Sequence, residues 1–361
     1  MSHKIITESK DEVLETPSPY GTHGKIISDP GRGRYLGNKM NVAAKSDATA
    51  EILMLKPMSA VERALTPEFT VHHLPPKADS EAFFEGVGPR VRGLFTFSGG
   101  GVLVDRAWLS MLPNVEIVAN LGVGHDSVDL EAADERGVIV INAGAVNAVD
   151  VAEHAFGLLL DGARAISAGD RYVRAGLWAS KGRMKLTHRL SGRRLGILGL
   201  GSIGRAIAKR AEAFDMPVSY HNRRPRNDVP YRYVSSVLEL ARDADVLVAA
   251  APGGEATHHL INRDVLDALG PNGILVNVGR GSVVDEAALV DALKDGTLGG
   301  TALDVFENEP NVSEALLTMP NVVLQPHVAG DTHEGLAAAI DMVALNLRAH
   351  FAGEDVLTPV M

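Results

Sequence analysis

From Glu51 onward, short apolar runs alternate with stretches of helical spacing, which is the signature of an α/β architecture. Ile52–Leu55, Val71–Leu74, Gly93–Phe97, Glu116–Ala119 and Val138–Ile141 read as strands, with helices over Val104–Met111 and Leu130–Glu135 between them. Val149–Ala168 carries a long amphipathic pattern in which Val151, Ala155, Leu158, Leu159 and Ala163 share one face, so one linking helix is expected there. A second series follows. Arg194–Leu198, Pro217–Tyr220, Val246–Ala250, Ile274–Val278, Ala302–Val305 and Val322–Leu324 are short and nearly all apolar. Helical patterns over Ser202–Phe214, Leu238–Arg242, Arg263–Leu269 and Glu286–Lys294 separate these runs. Strands apolar on both faces imply a parallel sheet covered by helices on each side. His333–Phe351 returns to a helical pattern.

Met1–Ala50 differs. Seven Lys/Arg nearly balance six Asp/Glu, no periodic apolar run appears, and Pro17, Pro19, Gly21, Gly24, Pro30, Gly31 and Gly33 punctuate it. An irregular extension is expected, without the apolar core of a secretory signal. A transit peptide and a true start at Met40 are the alternatives.

Composition narrows the class. The 361 residues suit two or three domains, and 45% hydrophobic residues suit a globular chain. No apolar stretch approaches the length of a membrane helix, so no membrane partner and a cytoplasmic location are expected. The absence of cysteine excludes disulfides, thiolate nucleophiles and cysteine-bound metals. A net charge of -10 argues against a nucleic-acid partner. The 37 glycines cluster at Ser98–Gly101, Gly199–Gly204, Gly279–Gly281 and Gly296–Gly300, as tight strand–helix turns would require.

One cluster has a specific reading. Gly199-Leu200-Gly201-Ser202-Ile203-Gly204 fits G-x-G-x-x-G between a strand and a helix, the context of a dinucleotide site. Gly199 permits the turn, Gly201 lets backbone N–H groups approach a pyrophosphate, and Gly204 lets helix and strand pack closely. NAD sites place a carboxylate about 20 residues onward for the ribose 2′-hydroxyl. Here Asn222 stands 18 residues after Gly204, followed by Arg223 and Arg224. Asn does not repel a 2′-phosphate and the arginines can bind one, so NADPH is expected in preference to NADH.

Three further segments end strands of the second series: Val278–Gly281 with Arg280, Ala302–Pro310 with Glu307 and Glu309, and Gln325–Gly330 with His327. Ligands gather at such strand ends. Reducing a carbonyl requires a proton donor, which a carboxylate-paired histidine supplies. A guanidinium can bind a substrate carboxylate and polarise the adjacent carbonyl. A satisfied core histidine and a structural arginine cap are the competing readings.

At these residues the sequence resembles the D-isomer-specific 2-hydroxyacid dehydrogenase family over about Glu51–Met361. It looks most similar to the NADPH-dependent hydroxypyruvate/glyoxylate reductases, carried by Tyr220–Arg224, Ala302–Glu314 and Leu357–Val360. The resemblance implies two Rossmann-like parallel-sheet domains, the cofactor domain inserted into a flavodoxin-like substrate domain. The boundaries would be 51–148 and 331–361 for the substrate domain and 149–330 for the dinucleotide-binding domain. It implies reduction of glyoxylate or hydroxypyruvate to the D-2-hydroxy acid.

Carried over by residue, His327 is the general acid/base, Glu309 its partner, Glu307 a surface residue, and Arg280 the substrate anchor. Asp304 binds the nicotinamide carboxamide, with Val278 and Gly330 beside the cofactor. Leu121–Gly124 matches a loop whose Val123 and Gly124 N–H groups hold the substrate carboxylate. Trp178 matches an aromatic near the substrate, and the helix from Asn147 a dimer element, so a homodimer is expected. Ala148 and Val149 replace a Thr and an acidic residue found in many relatives. The Ala251–Gly254 turn replaces a more polar one, leaving Pro252 and Thr257 as cofactor contacts.

His72-His73 and His258-His259 lack metal-ligand spacing, and Ala337 breaks the H-E-x-x-H that His333-Glu334 begins, so no metal is expected. Other D-2-hydroxyacid dehydrogenases, of the D-lactate or phosphoglycerate type, and a dinucleotide-sensing corepressor-like protein are the alternative readings.

Overall fold

The computed structural model describes residues 49–75, 80–97 and 102–360. The Met1–Ala50 extension, but for its last two residues, and the Ser98–Gly101 glycine cluster lie outside them. The first sheet is built from β1 (Glu51–Met54), β2 (Thr70–His73), β3 (Val91–Phe97), β4 (Ile117–Leu121) and β5 (Ile139–Ile141). All pairs are parallel in the order β2-β1-β3-β4-β5, the flavodoxin-like arrangement. β3 and β4 are almost wholly buried, which explains why they read as apolar runs.

The second sheet contains β6 (Leu195–Leu198), β7 (Val218–His221), β8 (Arg232–Tyr233), β9 (Val246–Ala249), β10 (Ile274–Asn277), β11 (Gly300–Leu303) and β12 (Val322–Leu324). Its order is β12-β11-β10-β9-β6-β7-β8. Counted from β6, this is the Rossmann order with one added strand, so the strand order reverses between the parallel neighbours β6 and β9. Six strands were expected. The seventh, β8, has only two residues and follows an Arg- and Pro-rich loop, too short and polar to register as an apolar run.

The expected single linking helix is two, Ala148–Arg164 and Ile166–Arg174. The break falls at Ala165, whose φ of 52° is left-handed. Asp161 Oδ1 accepts the Ser167 N–H at 2.9 Å, capping the second helix from within the first. The five residues assigned to one face, Val151, Ala155, Leu158, Leu159 and Ala163, are all buried in the core of the second sheet.

The chain then returns to its beginning. Helix His333–Ala352 buries Ile340, Val343 and Leu347 against β1, β4 and β5. Beyond it, the Val360 N–H bonds to the Val140 carbonyl at 2.8 Å, and Thr358 to Asn142. Among the described residues no helix is long and apolar enough to cross a membrane.

Candidate active site

A cleft of about 860 Å³ opens where the carboxyl ends of the strands converge. Leu121–Gly124 line it from the first sheet, and Ile203, Val278, Arg280, Asp304, Glu309 and His327 from the second. The start of helix His333–Ala352 closes one side.

At its centre His327 Nδ1 lies 2.7 Å from Glu309 Oε2. The other Glu309 oxygen accepts the Phe306 N–H at 3.0 Å, so the carboxylate is held at both ends. The Glu309 hydrogen bond raises the His327 pKa above its usual value, outweighing burial. Burial pushes the Glu309 carboxyl up, but the bonds from His327 and the Phe306 N–H hold it below the ordinary carboxylate range. This pair favours the protonated form of His327 and leaves Nε2 for chemistry.

The backbone at His327 is strained, with φ at 56°, a conformation costing about 1–3 kcal/mol in a residue other than glycine. Asp304 holds it there. The Asp304 carbonyl accepts the His327 N–H at 2.8 Å. The Asp304 carboxylate, 1% exposed, accepts Val328 N–H at 2.9 Å and Ala329 N–H at 3.0 Å. Burial raises the Asp304 carboxyl, yet His154 and these N–H groups bring it below the usual range. Asp304 is therefore the clamp of the His327 loop.

Arg280 follows β10. Its Nε donates to Asp126 Oδ2 at 2.7 Å and its Nη1 to the Gly279 carbonyl at 2.8 Å. A Cβ at Gly124 would fall on Nη2, so any larger residue there would displace the guanidinium end from this position. Burial raises the Asp126 carboxyl, while the Arg280 charge holds it below normal. Two buried asparagines set the flanking loops. Asn277 donates to the Arg280 carbonyl at 2.9 Å and accepts the Gly279 N–H at 3.1 Å. Asn120 donates to the Gly124 carbonyl.

The glycine-rich turn fits a dinucleotide. Gly199 has φ of 96°, and a Cβ there would lie 2.7 Å from the Ala251 nitrogen. A Cβ at Gly204 would strike the Gly199 carbonyl, whereas one at Gly201 would enter open space. Gly201 precedes helix Ser202–Glu212 with no side chain capping it, so unpaired N–H groups meet that space. Asn222 follows β7 directly and its Oδ1 accepts the Leu200 N–H at 2.7 Å, tying the second strand to the turn. Arg223 and Arg224 beside it are exposed and pair with no carboxylate among the described residues. Arg226 is paired with Asp228.

Other expected residues divide. Val123, Gly124, Val278 and Gly330 line the cleft. Pro252 and Thr257 share one turn, and the Thr257 hydroxyl donates to the Pro252 carbonyl at 2.8 Å. Trp178 is 64% exposed and is not part of the cleft lining within one chain. Sequence reasoning missed Asp126, His154, Asn120 and Asn277. For the asparagines a signal existed, a polar residue at or next to the end of an otherwise apolar strand.

A Rossmann-order sheet with this turn, and a His–Glu pair at its strand ends, defines a nicotinamide-dinucleotide oxidoreductase. The family model for the D-isomer specific 2-hydroxyacid dehydrogenase NAD binding domain matches residues 156–329. The chain is 44% identical over 311 residues to a glyoxylate/hydroxypyruvate reductase A of Arabidopsis thaliana, covering 86% of this chain and 98% of that one. It is 46% identical, with the same coverage, to a hydroxyphenylpyruvate reductase of Plectranthus scutellarioides. A solved NADPH-dependent glyoxylate/hydroxypyruvate reductase from Sinorhizobium meliloti, in complex with NADP and malonate, is 41% identical. It superposes with a TM-score of 0.80 over 87% of this chain and 97% of the other. The chain belongs to the D-isomer-specific 2-hydroxyacid dehydrogenase family.

Proposed function

We propose that this enzyme reduces a small 2-oxo acid, glyoxylate or hydroxypyruvate, to the D-2-hydroxy acid with NADPH. The observation carrying the reading is the His327–Glu309 pair at 2.7 Å in the same cleft as Arg280. The cofactor, when bound, supplies the hydride. His327, kept protonated by Glu309, gives its proton to the carbonyl oxygen as charge develops there. Arg280 binds the substrate carboxylate and polarises the carbonyl. The Val123 and Gly124 N–H groups share that carboxylate in a backbone nest. Asp126 orients the guanidinium through Nε, leaving Nη2 beside Gly124 for the substrate.

Gly199–Gly204 cradles the pyrophosphate, and Arg223 and Arg224 hold the 2′-phosphate. Val278, Asp304 and Gly330 border the nicotinamide, with Pro252 and Thr257 along its approach. In this reading 51–148 and 331–361 form the substrate domain and 149–330 the dinucleotide-binding domain. A cytoplasmic homodimer completes the proposal. The dimer is supported by the exposed apolar side chains of Ile166, Val173, Trp178 and Leu186 on one arm.

The test is a substrate panel with each cofactor, run on wild type and His327→Ala. NADPH oxidation with glyoxylate or hydroxypyruvate is expected, and the variant should lose at least about 100-fold in kcat while binding NADPH normally. Retained turnover in the variant, or a clear preference for NADH, overturns the corresponding assignment.

A further inference from the structure

Outside the cleft, two loops bring together side chains that lie far apart in the chain. His258 and His259 follow the turn after β9, and Glu307 follows β11. The two imidazoles stack, with centroids 3.8 Å apart and planes at 24°. His259 Nε2 is 2.6 Å from Glu307 Oε1. One ligating atom from each of the three residues lies within 4.8 Å of the others.

The frame beneath them is fixed. His259 is held at φ of 51° with its N–H bonded to the Ser282 carbonyl at 2.8 Å. The Glu307 N–H donates to Glu286 Oε2 at 3.1 Å, and Glu307 Oε2 accepts the Glu286 N–H at 3.4 Å. Both ligand loops are thus anchored to the same segment, 282–286. A tetrahedral centre with bonds of about 2.0–2.2 Å needs donors roughly 3.3–3.6 Å apart. The three ligating atoms already lie within 4.8 Å, and binding would part the 2.6 Å His259–Glu307 contact and draw in the exposed His258. Two imidazoles and one carboxylate suit zinc, nickel or copper, whereas magnesium and calcium prefer all-oxygen sets.

We propose that His258, His259 and Glu307 form a surface site for a borderline transition-metal dication, with water filling the remaining position. The adjacent histidines alone lack ligand spacing, and it is Glu307, delivered by another strand, that completes the set. Because Glu307 is two residues from Glu309, the cation would brace the loop that carries the catalytic carboxylate.

The full chain, without a histidine tag and stripped with chelator, is dialysed against zinc chloride and melted with and without it. Wild type should bind one more zinc per chain than either His258→Ala or Glu307→Gln. Zinc in large excess over Kd should raise the wild-type Tm by roughly 2–6 °C, with neither variant responding. His258 is exposed, so His258→Ala leaves the fold intact. Equal zinc stoichiometry in wild type and His258→Ala overturns the proposal.

Discussion

His327 is held twice: its ring by Glu309 and its strained backbone by Asp304. The ring contact sets a pH profile. Reduction needs the imidazolium, and Glu309 raises the pKa of that group, so activity should persist above the ordinary histidine range and fall as pH climbs past the raised value. In Glu309→Gln the stabilising charge is gone, and the fall should move to lower pH. An unshifted profile of kcat against pH in that variant would remove Glu309 from its role. The arginines make a separate prediction. Arg223 is exposed and pairs with no carboxylate among the described residues, and a charge-assisted bond is worth about 1.5–3 kcal/mol. Arg223→Ala should therefore weaken NADPH about ten- to a hundredfold and leave NADH nearly unchanged, as titration with both cofactors would reveal.

At the scale of elements, the glycine-rich turn separates packing from ligand space. A methyl at Gly204 would collide with the Gly199 carbonyl, and one at Gly201 would not touch the protein. Gly204→Ala should cost about 1–3 kcal/mol of stability through overpacking, read as a lower Tm. Gly201→Ala should melt like wild type yet lose dinucleotide affinity, because its methyl occupies the space that Gly201 leaves open. A wild-type affinity in Gly201→Ala would place the pyrophosphate elsewhere. The linking helix shows where pattern reading stops. Its buried face was legible because burial repeats with the helical period. Its break at Ala165 was not, since an amphipathic stripe does not record one left-handed residue capped by Asp161.

At the scale of the whole molecule, the arm after that break carries five exposed large apolar side chains among the described residues, Ile166, Val173, Trp178, Met184 and Leu186. Helix Ile166–Arg174 buries none of its residues, and Leu186 is 99% exposed. If a second copy covers this arm, light scattering should give a dimer for wild type and a monomer for Leu186→Asp. A wild-type monomer would remove the dimer from the proposal.

Much of the architecture follows from features local in the chain. Apolar runs of strand length, the G-x-G-x-x-G turn and the arginines following β7 each depend on neighbours within about 20 residues, so the sequence alone determines them. It also determines that Arg280, Glu309 and His327 end strands of one parallel sheet, because each follows an apolar run. What joins those residues to their partners is not local. Arg280 meets Asp126 across 154 positions, and His259 meets Glu307 across 48. Such contacts depend on strand order and on how two sheets face one another, which no periodicity encodes. The tertiary structure alone decides that Asp126 orients the guanidinium, that Asp304 clamps the His327 loop, and that Glu307 comes to hydrogen-bond distance of His259.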